Sequence, residues 1–363
     1  MTQRCIALLG RRDEPTDAVE EYCRYLGAAL GAHGFALELE RVPWHGLGWS
    51  AALRELRGQS AGWRGAPVFV QYTALAWSDH GFPFRLPGVL RILRAAGARV
   101  GVVFHDAEPY TGRRLVDLLR RSVQLRVMRD ALRLVDVAVL TVPAENLSWV
   151  PPGWHNGVFI PVGANLTVPE AAAEPRPSRA VHIPTVAVFG ITGGEAGKLE
   201  SEAITEAVRL AAICIPKLRL VAFGRQADNS EYFLRDGLRD VEVDVQVSGV
   251  LPSEEVARTL SSSDVLLFVR GSISSRRGSA IAGIACGLPV IAYGGSETAA
   301  PITEAGVVLV SPKWKEELGE ALVRVLSDRE YRTSLAERSR RAYEQHFSWK
   351  VIAAQYKEAI RGK

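Results

Sequence analysis

The chain has no cysteine pair at redox or metal-binding spacing: Cys5, Cys23, Cys214 and Cys286 lie far apart among its 363 residues. Neither a disulfide framework nor a Cys/His zinc site is indicated, and a reducing cytoplasm is the expected compartment. No apolar run approaches the roughly 18 residues a membrane-spanning helix needs, and the N-terminus lacks a basic-then-apolar leader pattern. Any membrane contact is therefore expected to be peripheral, at the inner face. The dinucleotide fingerprint is missing as well. Gly10 is followed by Arg11-Arg12 and Gly190 by Ile191-Thr192, so no GxGxxG follows either first strand and a nicotinamide dehydrogenase is not expected.

Lysine is absent from residues 1–165, which hold 19 arginines against 15 acidic residues. The rest of the chain has 25 basic and 25 acidic residues, so the whole net charge of +4 sits in the first half. Arg113, Arg114, Arg120 and Arg121 fall on one arc of a helix, whereas Arg126, Arg129 and Arg133 project from another face at 3.6 residues per turn. The arc could meet an acidic membrane surface or a phosphate-bearing acceptor, but with no single basic stripe a solvated helix is the better reading. Aromatic and basic residues are not interleaved on any recognisable module, so nucleic acid is not an expected partner.

What is present is a chain long enough for two domains, with 47% hydrophobic residues to fill two cores. Short Val/Ile-rich runs mark strands at Ile6–Leu9, Ala36–Leu39, Val68–Tyr72, Val100–Phe104, Val137–Thr141 and Val158–Pro161. Helical stretches separate most of them, the first over Thr16–Ala32 with Thr16 as its cap. A second set begins at Val186–Phe189 and continues with Leu218–Phe223, Val241–Val247, Val265–Val269, Val290–Tyr293 and Val307–Val310. Helices are expected at Leu199–Ala212, Ser253–Ser262, Lys315–Leu326, Asp328–His346 and Trp349–Ile360. Runs of this kind, lacking clean alternation, are those of parallel strands buried on both faces. The expected fold is α/β, with two doubly wound Rossmann-like domains facing across a cleft. The domains are residues 1–165 and 185–345, joined by a proline-punctuated linker at 166–184, with a C-terminal helix in 346–363 packing back across the junction.

Open parallel sheets bind ligands beyond the carboxyl ends of their strands. The richest such stretch is SSRRGSAIAGIACGLPVIAYGG, Ser274 to Gly295. Small residues from Ser279 to Gly287 form a short helix, and Val290–Tyr293 forms the strand behind it. Free backbone N–H groups near Gly278 and Ser279, together with forked Arg276 and Arg277, compose an anion site; a solvated Arg-Arg pair ahead of an ordinary helix is the alternative. In the first half, His105-Asp106 closes the strand VGVVFHD. A histidine there can bond a ligand or move a proton, or the pair can simply cap the following loop.

Residues 185–355 resemble the nucleotide-sugar-binding domain of GT-B glycosyltransferases, specifically the large retaining family 4. The ordered motifs are VAVFG, LRLVAFG, VSGVLPSEEVARTLSSSDVLLF, ACGLPVIAYGG, VVLVSP and FSWKVIAAQY. The first half is similar to the matching acceptor domain through TDAVEEYCRYLGAAL, VQYTALAW, VFHDAEPYTGRRL and IPVGAN. The resemblance implies transfer of a sugar from a nucleoside diphosphate sugar to a hydroxyl of a glycan, lipid-linked or small-molecule acceptor, with retention at the anomeric carbon. It implies donor contacts at Gly190, Lys198, Arg225, Ser274, Ser275, Gly278, Ser279 and Glu297, with Arg276, Arg277 and His105 at the reaction centre and Asp17 and Asp106 on the acceptor side. Asp17 and Asp106 read equally as helix N-caps. No DxD motif occurs, so neither a metal nor another cofactor is expected and protein cations carry the electrostatics. Three positions depart from the family. Ile191 stands where an arginine is usual, and Ser274 and Ala282 replace the family's two glutamates, leaving Glu297 as the available carboxylate. These losses keep open a catalytically degenerate binding or scaffolding protein and, more remotely, a nucleotide-sugar epimerase.

Overall fold

A computed structural model describes residues 2–112, 114–168, 182–313 and 316–362. The chain divides into two units, Met1–Val162 together with Trp349–Lys363, and Gly163–Ser348. The first unit runs β1 (Gln3–Leu9), α1 (Ala18–Gly31), β2 (Phe35–Arg41), α2 (Trp44–Leu47), α3 (Trp49–Ser60), β3 (Pro67–Tyr72), α4 (Leu86–Ala95), β4 (Arg99–Phe104), α5 (Leu115–Leu134), β5 (Val137–Leu140) and β6 (Gly157–Phe159). The second runs β7 (Thr185–Phe189), α6 (Gly194–Cys214), β8 (Leu218–Phe223), α7 (Glu231–Gly237), β9 (Val243–Val247), α8 (Ser253–Ser262), β10 (Val265–Ser272), α9 (Gly278–Ala285), β11 (Val290–Tyr293), β12 (Val307–Val310), α10 (Glu316–Ser327) and α11 (Arg329–Ala342). After a π turn at Tyr343–Phe347, α12 (Trp349–Arg361) belongs to the first unit.

Among the described residues each sheet has six strands, ordered β2-β1-β3-β4-β5-β6 and β12-β11-β10-β7-β8-β9, with every neighbouring pair parallel. Both sheets are doubly wound. The direction of winding reverses between β1 and β3 in the first and between β7 and β10 in the second, and these points open a crevice at the strands' carboxyl ends. Central strands are mostly apolar because helices cover both faces: β3 is buried along its whole length, Gln71 included. Edge strand β9, VDVQV, alternates half-buried and exposed positions, as a strand wet on one face must.

Helix α1 buries Tyr22, Cys23, Leu26 and Leu30 along one stripe. Its cap is Asp17 rather than Thr16: Asp17 Oδ1 accepts from the backbone N–H of Val19 at 3.1 Å and of Glu20 at 3.0 Å. A carboxylate suits this place because the helix dipole is positive there. α12 docks on α1 through Tyr22 Oη, which donates to Tyr356 Oη at 2.9 Å, and through Trp349 stacked on Tyr25.

Several boundaries differ from those expected. α6 begins at Gly194, five residues earlier than the apolar pattern marks, because its first turn is polar and glycine-rich. β10 extends to Ser272 through a register shift between Phe268 and Ser272. The helix expected over Asp328–His346 is α11 followed by the π turn. Helices α2 and α7, of four and seven residues, are too short to show apolar periodicity and were not marked in the sequence. Most of the expected linker, and Arg113 and Lys315, lie outside the described residues. Arg120, expected on an outward arc, is consumed within the fold: it donates to Asp117 Oδ1 and the His80 carbonyl and lies over the Phe82 and Tyr110 rings.

Candidate functional site

The crevice of the second unit opens where β7 and β10 end side by side. Gly190 follows β7 with a φ of 79°. Its N–H donates to the Phe223 carbonyl at 2.7 Å, and the Ile191 N–H to the Arg225 carbonyl at 3.0 Å, which locks the ends of β7 and β8 together. Glu200 then fixes the turn into α6 by accepting from the Thr192 N–H at 2.7 Å and the Thr192 hydroxyl at 2.6 Å. Across the crevice, Arg270 lies within the register shift of β10. Its guanidinium sits 3.0 Å from where a Cβ on Gly190 would be. Glycine is thus required at 190 twice over, by the positive φ and by the arginine packed on it.

Arg270 is half-buried, and among the described residues no acceptor or carboxylate reaches it at hydrogen-bond or ion-pair distance. Burial lowers its pKa, Glu200 opposes that shift, and the like charge of Arg225 adds to it. A guanidinium held out of water beside a second arginine is costly unless an anion joins them. The sequence alone assigns Arg270 no role: it follows the apolar run VLLFV, and nothing local marks the register shift that packs it against Gly190.

Ser274 to Ser279 lie beside this crevice. Ser274 and Ser275 are buried, and Arg277 is the N-cap residue of α9 without a side-chain cap, so the first N–H groups of Gly278 and Ser279 are left to other acceptors. The two arginines diverge. Arg276 makes a bidentate pair with Glu297, Nε to Oε2 at 2.7 Å and a terminal nitrogen to Oε1 at 2.9 Å. Arg277 Nε donates to the Ser272 carbonyl at 3.3 Å, over the end of β10. Ser274 Oγ also donates to Glu297 Oε2 at 3.1 Å. Ser274, where the resemblance implies a glutamate, therefore has a carboxylate beside it in space. Burial raises the Glu297 pKa, but Arg276, Arg277 and Ser274 outweigh it and hold the group below the ordinary carboxylate range. Ala282 is buried within α9, and Lys198 is exposed on the second turn of α6.

The corresponding crevice of the first unit is built differently. An open cavity of about 580 Å³ lies past β1 and β2, lined by Gly10, Arg11, Asp13, Arg41 and His45 among others. Arg11 pairs with Asp79 at 2.8 Å, and Arg41 with Glu20 at 2.8 Å and Asp17 at 3.4 Å. Asp17 thus spends its carboxylate on the α1 cap and Arg41. Asp106 accepts from the Ala74 N–H at 2.6 Å, tying the loops after β3 and β4. His105 packs edge-on against Tyr22, and its Nε2 lies 2.9 Å from Gln71 Oε1. Gln71 Nε2 donates to the Phe69 carbonyl, so its Oε1 accepts the histidine N–H and the neutral imidazole keeps Nδ1 as an acceptor. Burial pushes the His105 pKa down to about 4, so the ring is neutral at physiological pH.

Two doubly wound Rossmann-like units define the GT-B class of fold, and comparisons with known proteins agree. Residues 200–342 match the family described as "Glycosyl transferases group 1", a segment that runs from α6 to the end of α11. No curated protein matches the chain by sequence. Sucrose-phosphate synthase from Thermosynechococcus elongatus superposes with a TM-score of 0.71 at 20% identity, covering 99% of this chain and 98% of that one. Anabaena HepE, solved in complex with UDP and glucose, gives a TM-score of 0.66 at 15% identity over 99% and 100% of the two chains. A putative UDP-N-acetylglucosamine 2-epimerase from Listeria monocytogenes gives 0.63 at 11% identity over 99% and 96%. At these identities the likeness establishes the fold.

Proposed function

We propose that this protein is a glycosyltransferase that binds a nucleoside diphosphate sugar at the β7/β10 crevice and passes the sugar, with retention, to an acceptor hydroxyl. The observation that carries the reading is Arg270, a half-buried cation with no ion-pair partner among the described residues, at the point where this topology places ligands. The group 1 match over residues 200–342 and the UDP-bound relative of the same fold support it.

In this reading the diphosphate lies against Arg270, Arg225, Arg277 and the first N–H groups of α9, with Lys198 approaching from α6. These groups stabilise the negative charge that grows on the leaving diphosphate, and no metal bridge is invoked. Arg270 supplies from β10 the charge that Ile191 does not. Glu297, charged and oriented by Arg276 and Ser274, accepts hydrogen bonds from donor-sugar hydroxyls in place of the missing glutamate, so Arg276 is a positioning residue. Ser275 and Gly190 shape the floor. Neutral His105, through Nδ1, is a hydrogen-bond acceptor for a sugar hydroxyl, and Asp17 and Asp106 hold the acceptor-side loops.

Thermal melting with UDP, GDP, ADP and dTDP tests donor binding, since a ligand at 100 times its Kd adds about 2.7 kcal/mol. Stabilisation by one of them is expected, and none by any would sink the reading. The losses at 274 and 282 favour a second reading, a silent nucleotide-sugar-binding protein. Release of nucleoside diphosphate from a bound donor sugar separates the two, and conversion of the donor without an acceptor would mark an epimerase.

A further inference from the structure

The first two turns of α5 present apolar side chains to solvent. Leu115 is 86% exposed, Leu118 53% and Leu119 59%, and at spacings of three and four residues they form one outward face. Phe84, also exposed, stacks on Phe82, and the exposed Tyr110 shares Arg120 with Phe82, so this aromatic cluster adjoins the same helix end. A contiguous apolar patch of this kind marks a contact surface.

Continued along the helix, the same face changes character. Arg126, Arg129 and Arg133 follow the leucines at helical spacing, and all three are exposed. Asp130 lies between Arg126 and Arg133, 3.9 Å from one and 3.3 Å from the other, which leaves the face with a surplus of two positive charges. Arg114 and Arg121 flank the leucines and are exposed, and Asp117, the one carboxylate in the first turn, is buried against Arg120. The outward surface is thus amphipathic along its length. A leucine tip is followed, about 10 Å further on at 1.5 Å per residue, by arginines.

We propose that this face of α5 docks the protein on an anionic phospholipid bilayer. The leucines enter the boundary between headgroups and acyl chains, and the arginines stay at the depth of the lipid phosphates. Lipid suits the patch better than a protein partner because the net charge is positive and lies at headgroup distance from the apolar tip. No helix among the described residues is long and apolar enough to cross a membrane, so the contact is peripheral. The docking face differs from the arc marked by sequence periodicity, whose Arg120 is occupied internally. The inference is independent of the donor site.

Co-sedimentation of the full chain with vesicles tests it. Vesicles of phosphatidylcholine containing about 30% phosphatidylglycerol should retain the protein at least tenfold better than phosphatidylcholine alone, and rising salt should weaken the retention. The triple variant Leu115→Ser, Leu118→Ser, Leu119→Ser should lose binding to both while melting as wild type does, since all three side chains are exposed. The double variant Arg126→Gln, Arg133→Gln should lose only the preference for phosphatidylglycerol. Absence of wild-type binding to the anionic vesicles, or retention of the triple variant at wild-type levels, overturns the proposal. So does a wild-type dimer that the triple serine variant dissolves, because the face would then be a protein contact.

Discussion

The two crevices share one topology and differ in how their charges are matched. At the β1/β3 reversal the arginines near the opening meet carboxylates: Arg11 has Asp79, and Arg41 has Asp17 and Glu20. At the β7/β10 reversal Arg270 itself has no carboxylate at bonding distance among the described residues, and the neighbouring Arg225 adds like charge to it. Net charge points the other way, because the first half carries the whole surplus and the second is balanced. Recognition of an anion follows from where charges are left unmatched in a half-buried site, not from their sum over a domain. A matched, hydrogen-bonding crevice suits neutral hydroxyl groups; an unmatched cationic one suits phosphate.

The contrast can be broken experimentally. The largest effect is expected from Glu297→Gln, which leaves the fold and the pairing shape but removes the charge: kcat/KM for sugar transfer should fall by at least about 100-fold, the scale of losing one preorganised electrostatic contact. A near-wild-type rate would show that another group serves the donor sugar. Next, Arg270→Ala should weaken nucleoside diphosphate binding by roughly 10- to 100-fold, the worth of charge-assisted hydrogen bonds, without lowering the melting temperature of the free protein. Unchanged affinity by calorimetry would place the phosphates elsewhere.

A smaller effect concerns His105. Its pKa is lowered from 6.5 to about 4, so between those values the unfolded chain binds a proton that the folded chain refuses. Stability should therefore fall as pH drops from 6.5 to 4, by about 2 kcal/mol from this group once its partial exposure is allowed for. Denaturant titrations of His105→Gln should lack that component of the slope. The smallest effect, none on nucleotide affinity, is expected for Arg11→Ala, whose charge is already matched by Asp79. A loss comparable to that of Arg270→Ala would erase the distinction between the crevices.

The twelve strands of the described residues were legible in the sequence as short apolar runs, most of them rich in valine and isoleucine as burial on both faces imposes, though edge strand β2, FALELER, has neither residue. Gly190, Arg277, Gly278 and Ser279 were legible as candidates since each lies past a strand. Arg270 and the partner of Arg276 were not. Arg270 follows the apolar run that marks the strand, and only the register shift in β10 packs it against Gly190. The pairing of Arg276 with Glu297 spans 21 residues and a strand, a separation over which local periodicity says nothing.

The sequence by itself determined the fold class, two doubly wound sheets and their order, since hydrophobic runs and turn residues are local signals that survive without coordinates. Only the tertiary structure decided which charges are matched and which apolar side chains stay wet. Those properties depend on groups brought together from different strands and helices, and at such distances electrostatics and burial, not sequence spacing, set the outcome.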